Sequence, residues 1–137
     1  MHNIKPELVP VILQILDEKP KQCSKTLSKG PGCYCFEGLI AEALIRLYPD
    51  RYSWGRYYPD EVDTATAANW PILLRDGRVV GDGVLWSKAR EDATLPDKLG
   101  YHPGPELDGQ VLWCWNDVEE KNFDWLREQL TKPAEPV

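Results

Sequence analysis

Tyr34-Cys35-Phe36-Glu37-Gly38-Leu39-Ile40-Ala41-Glu42-Ala43-Leu44-Ile45-Arg46-Leu47-Tyr48 is the stretch on which the fold turns. Phe36, Leu39, Ile40, Ala43, Leu44 and Leu47 recur at the three- and four-residue spacing that lays them on one broad helical face. Glu37, Glu42 and Arg46 fall to the rim, with Glu42 and Arg46 spaced i,i+4 so that carboxylate and guanidinium can meet. Gly38 costs about 1 kcal/mol in helix propensity against alanine, which points to close approach of another backbone. Pro49-Asp50 ends the pattern. The reading is a central core helix over about residues 34–48.

Outward from it, Leu8, Ile12, Ile15 and Leu16 predict a helix from about Pro6 to Asp17, its proline near the start where a missing N–H costs least. Lys19-Pro20 stops it, a lysine-rich extended segment follows, and Gly30-Pro31-Gly32 turns the chain. Beyond the core helix, Tyr52 to Tyr58 is aromatic-rich and reads as a strand or as a cover over the core. Ile72–Arg75 and Arg78–Val80 flank Asp76-Gly77, the two-residue spacing of a type I′ hairpin. From Leu95 to Leu107, prolines and glycines impose irregular backbone. Asn116-Asp117 reads as a turn or capping signal after Leu112-Trp113-Cys114-Trp115. A last helix from about Asn122 to Leu130 takes Asn122 as N-cap and turns Phe123, Leu126 and Leu130 inward. The fold class is therefore α+β, a central buried helix with two flanking helices and a small antiparallel hairpin or sheet. Residues 1–131 form a single domain, and 132–137 a flexible tail.

The chain has 137 residues, 42% hydrophobic and 28% charged, which suits a globular domain with a real core. No apolar run approaches the roughly 18 residues of a membrane span, and no signal-peptide pattern opens the chain. The expected address is the cytoplasm, where Cys23, Cys33, Cys35 and Cys114 stay reduced. A net charge of −6 argues against binding nucleic acid or an anionic membrane. The charge is uneven: residues 19–29 carry Lys19, Lys21, Lys25 and Lys29 with no acid, and 106–137 carry eight acids against three bases.

Gln22, Leu27 and Tyr34-Cys35-Phe36-Glu37-Gly38-Leu39-Ile40-Ala41-Glu42, with Leu95-Pro96 through Leu99-Gly100-Tyr101, Leu112 through Asn116-Asp117, and Phe123-Asp124-Trp125-Leu126, make an ordered series. It resembles a family of small uncharacterised proteins of bacteriophages and bacteria. These carry a glutamine, a Tyr-Cys-Cys-Leu-Gly-Val-Leu-Cys-like helix start and a Leu-Asn-Asp turn before a short helix. Phe36, Glu37 and Ala41 stand where the family has Cys, Leu and Cys, which marks those cysteines as packing residues. The resemblance implies a phage or prophage accessory protein that binds a host factor, inhibition of a host defence system being one form.

Among chemical candidates, Cys33-x-Cys35 is too tight for a zinc knuckle, and with Cys23, Cys114 and His102 it implies no metal and no cofactor. Cys35 at a helix start beside Lys25 or Lys29 would have a lowered thiol pKa, but His102 lies in a Tyr-His-Pro-Gly loop with no evident link to it. No nucleophile elbow, zinc helix or Walker loop is present, so no catalytic residue is assigned. Lys25, Ser28, Lys29, Gly30 and Gly32 lead into the core helix, where converging amides, the helix dipole and lysines favour an anion. They form a candidate site for phosphate or a nucleotide. Arg51, Trp54, Arg56, Tyr57 and Tyr58 have the composition of a protein-binding hot spot, or of a lid over the core. The expectation is a non-enzymatic binding protein with a host protein as partner. The alternative is a domain that takes a small anionic ligand at Lys25–Gly32. A symmetric homodimer fits either.

Overall fold

The structure, a computed structural model, describes residues 1–24, 28–30, 32–57, 68–75, 78–84 and 91–132, with backbone alone for 28–30, 55–57, 68–75 and 78–84. A 3₁₀ turn at Pro6–Leu8 runs into helix α1, Val9–Asp17. Strands β1 (Lys21–Gln22), β2 (Ser28–Gly30) and β3 (Cys33–Tyr34) precede helix α2, Phe36–Leu47. Then come β4 (Tyr52–Tyr57), β5 (Ala68–Arg75) and β6 (Arg78–Val84), and residues 91–93 are helical. The short pair β7 (Glu106–Leu107) and β8 (Gln110–Val111) leads to α3, Leu112–Asp117, and α4, Phe123–Thr131. The class is α+β, with α2 at its centre.

The apolar stripe of α2 is buried as the spacing demands. Phe36, Leu39 and Ala43 are fully enclosed, and Ile40 and Leu44 almost so. Leu8, Ile12 and Ile15 from the first helical segment, Leu112 from α3, and Leu126 and Leu130 from α4 complete this core. Phe36 stacks on Trp125 at 6.1 Å and meets Phe123 at 6.0 Å, while Trp125 meets Trp115 at 5.0 Å, all within the range of favourable ring contacts. Glu37 departs from its expected place on the rim: it is buried, 5% exposed, because the first turn of α2 is enclosed on every side.

The sheet is ordered β1-β3-β2-β5-β4, with β6 also on β5. β1 and β3 are parallel and the other pairs antiparallel. β4 follows one edge of β5 from Tyr52↔Leu73 to Tyr57↔Ala68. On the other edge β2 meets Asn69 and β6 takes over from Ile72, with Pro71 at the changeover. Arg75 pairs with Arg78 and Gly30 with Cys33, so the strands read on either side of Asp76-Gly77 are paired, as are the segments flanking Pro31-Gly32, while Asp76, Gly77 and Pro31 lie outside the described residues. Gly32 there has φ +73°, a conformation glycine adopts without strain.

Asn116 corrects the sequence reading. It lies in α3 and not in a turn, is 4% exposed, and joins three distant segments. Its Oδ1 accepts from the Phe36 N–H at 3.1 Å and from Gln22 Nε2 at 2.9 Å. Its Nδ2 donates to the Cys23 carbonyl at 2.9 Å and to Asp117 Oδ1 at 2.7 Å.

The N-terminal segment is stitched in as well. His2 bridges Leu107 and Ile4 bridges Thr94, Lys5 N–H reaches the Ala93 carbonyl at 2.9 Å, and the Asn3 side chain takes the Glu106 N–H at 2.7 Å. His2 Nδ1 accepts from the Ile4 N–H at 3.1 Å, so its ring is neutral there. Burial first, and the Met1 ammonium second, hold its pKa below the usual 6.5.

Two outcomes follow from these contacts. Asn116→Ala strands a buried N–H and a buried carbonyl, each worth about 1–3 kcal/mol when unsatisfied, so urea denaturation should show a loss of about 3 kcal/mol. The His2 pKa is lowered on folding, so the unfolded chain binds the proton first as pH drops. The stability His2 contributes is full above about 6.5. It is lost as pH falls from there through the lower folded value. Melting temperature against pH should therefore fall more steeply for the wild type than for His2→Asn, whose Oδ1 keeps an acceptor that does not titrate.

Candidate functional site

A cleft of about 530 Å³ opens between β1 and the turn that joins α3 to α4. Lys21, Gln22 and Ser24 form one wall, and Asn116, Asp117 and Glu120 the other. The walls are tied at the floor, where Gln22 Nε2 donates both to Asn116 Oδ1 and to the Lys121 carbonyl at 2.7 Å. The volume lies in the range of about 300–1,000 Å³ typical of small-molecule sites. Little in the sequence announces it, because the contacts that join its walls span 94 and 99 positions of the chain. Gln22 entered through the family resemblance, and Asn116-Asp117 through that and as a turn or capping signal.

Next to the cleft, α2 begins with Cys35 as its N-cap. The Cys35 Sγ accepts from the Gly38 N–H at 3.3 Å, and the Phe36 N–H is held by Asn116. The first-turn donors that would greet an anion are thus occupied from inside the protein, and Phe36, Glu37 and Gly38 are buried. Of the lysine–glycine segment itself, only residues 28–30 and 32 are among the described residues. Ser28, Lys29 and Gly30 form a strand, Gly32 an exposed turn, and Lys25 lies outside the described residues. Nor is the Cys35 thiol lowered toward a nucleophile: burial pushes it up to about 12, with Cys23 and Glu37 adding to the rise against the amide hydrogen bonds that oppose it. His102 stands elsewhere, its Nδ1 3.3 Å from the Thr94 hydroxyl.

The aromatic–arginine candidates divide. Trp54 is a half-buried cover: its ring stacks on Tyr34 at 6.1 Å, and its Nε1 donates to Glu42 Oε2 at 2.5 Å. Glu42 also accepts from Arg46 Nε at 3.0 Å, the pairing its spacing predicted, and Arg46 forks onto both oxygens of Glu18 at 2.5 and 2.7 Å. Those bonds hold Glu18 below its ordinary carboxylate pKa. Burial, with the Glu42 charge second, raises the Tyr34 phenol. Arg51 is exposed, pairs with Asp92 at 3.0 Å and lies over the Tyr48 and Tyr52 rings at 5.8 and 5.7 Å. Tyr52 is buried and donates its hydroxyl to the same Asp92. Arg56 and Tyr57 are on β4 with backbone alone described, and Tyr58 is outside the described residues.

No family model, curated protein or solved structure matches this chain. Function therefore rests on the geometry. No described helix is long and apolar enough to cross a membrane.

One further surface lies in the stretch read as irregular backbone and as one part of the family resemblance. Leu95, Leu99 and Tyr101 are 45, 82 and 68% exposed. The chain under them is pinned, since Asp97 Oδ1 accepts from the Leu99 and Tyr101 N–H groups at 2.8 and 3.0 Å. The Asp97 N–H and carbonyl close on Tyr101 and Gly100 at 2.8 and 3.0 Å.

The thiol environments set an order of reactivity. A disulfide reagent at mildly alkaline pH should modify the half-buried Cys33 and Cys114 in the native protein, and the buried Cys23 and Cys35 only on unfolding. Mass spectrometry of native and denatured samples reads this directly, and rapid native labelling of Cys35 would contradict its assignment as a structural cap.

Proposed function

We propose that this chain is a binding protein that works by docking on another protein, with no chemistry of its own. The observation that supports this best is the 95–101 segment. Three large apolar side chains within seven residues face water while their backbone is fixed by Asp97. Apolar surface left in water forgoes about 25 cal/mol per Å², and clusters of it on a soluble protein mark interaction sites. A loop already held in one conformation also loses little entropy on docking. The partner this surface fits is a protein with an apolar recess that takes Leu99 and Tyr101.

The resemblance of Gln22, residues 34–42 and residues 112–117 to phage and bacterial proteins supports a phage or prophage accessory role in the bacterial cytoplasm. A host protein is then the partner, and a component of a host defence system is one such target. A homodimer is compatible with this role.

From a bacterial lysate, the tagged wild-type chain is expected to retain a host protein in stoichiometric amount. Leu99→Ala/Tyr101→Ala, with an unchanged circular dichroism spectrum and melting temperature, is expected to lose it. Equal retention by both chains, or a stoichiometric partner for neither, overturns the reading.

A further inference from the structure

The cleft between β1 and the α3–α4 turn is lined by charge of both signs. Lys21 on one wall and Glu120 on the other make no ion pair among the described residues. Their charged neighbours are engaged elsewhere: the Lys121 ammonium lies over the Trp125 ring at 5.6 Å, and Asp117 accepts from Asn116 Nδ2. Gln22 also lines the cleft, held by two hydrogen bonds from its Nε2, and its Oε1 has no partner among the described residues.

The backbone carries Glu120 into the lining of the cleft: its φ is +53°, a left-handed conformation shared with Lys19 and Asp108, and the turn is closed by Lys121 N–H to the Trp115 carbonyl at 2.9 Å.

We propose that this cleft binds a small zwitterion, its carboxylate at Lys21 and its ammonium at Glu120. The Gln22 carboxamide offers an acceptor to an N–H between the two ends. A free amino acid and a short unblocked peptide share this chemistry. A cavity of about 530 Å³ has room for either. The site is separate from the 95–101 segment and stands or falls without it.

The test is an amide-resolved NMR titration of the full chain with glycine, with Gly-Gly-Gly, and with the same tripeptide acetylated and amidated. Saturable shifts at Gln22, Ser24 and Glu120 are expected with glycine or the free tripeptide, and whichever binds more tightly identifies the source. The blocked tripeptide should bind at least about tenfold more weakly, and so should the free ligand to Lys21→Gln or Glu120→Gln, a difference of about 1.4 kcal/mol. Both substitutions are at exposed positions, and an unchanged amide spectrum elsewhere verifies the fold. No saturable shift with either free ligand, equal binding of the blocked peptide, or unaltered binding by both variants overturns the proposal.

Discussion

The Asn116 carboxamide substitutes for a rung of the sheet. β1 and β3 run parallel in the register Lys21↔Cys33 and Gln22↔Tyr34, and Cys23 N–H to the Tyr34 carbonyl at 3.0 Å carries the ladder one step further. In a parallel ladder the next bond would join the Phe36 N–H to the Cys23 carbonyl. There the strands part, because the chain after β3 turns directly into α2. Asn116 supplies both missing partners, Oδ1 to Phe36 and Nδ2 to Cys23. A carboxylate would offer no donor at neutral pH, and a hydroxyl has too short a reach to bond both groups. The junction of sheet and core helix therefore depends on a residue from α3.

This junction accounts for the quiet chemistry of the α2 N-terminus. A cysteine at a helix start is a familiar route to a reactive thiolate, since the dipole and free amides stabilise the charge. That effect needs either solvent or a cation nearby. At Cys35 the side chain is 5% exposed and the side chains that act on it electrostatically, Cys23 and then Glu37, both raise its pKa, so desolvation outweighs the amide hydrogen bonds. The same enclosure that raises the thiol pKa places Glu37 inside and removes the first turn from any external anion. Gly38, flagged as costly in a helix, lies in this enclosed turn, where its N–H completes the cap.

What the sequence disclosed was local. The stripe of α2, the Asn122 cap on Trp125 at 2.9 Å, the Glu42–Arg46 pair and the strand pairing at Arg75↔Arg78 each follow from spacing over a few neighbouring residues. What it concealed was pairing at long range. Asn116 bonds to residues 80 to 94 positions away, and Asn3 to residues 101 and 103 away. No periodicity announces such contacts, and Asn-Asp after an aromatic run reads equally well as a turn. Trp54 shows the same limit, because aromatic-plus-arginine composition is shared by binding surfaces and by lids. Only the Tyr34 stack and the Glu42 hydrogen bond make it a lid.

Both proposed recognition surfaces include irregular backbone, the 95–101 segment wholly and the cleft at the α3–α4 turn, where looseness would be the usual expectation. Each is instead fixed by one polar side chain that makes several bonds at once. Asp97 gathers two amides through a single oxygen, and Asn116 uses donor and acceptor groups together. The 95–103 segment is further anchored where Leu95 N–H meets the Asn3 carbonyl at 2.7 Å and Asn3 Nδ2 meets the Gly104 carbonyl at 2.8 Å. Ordering such segments in advance places the entropy cost in folding and not in association. A small domain whose helical core is already closed can carry that cost, and its binding surfaces then need little rearrangement when a partner or ligand arrives.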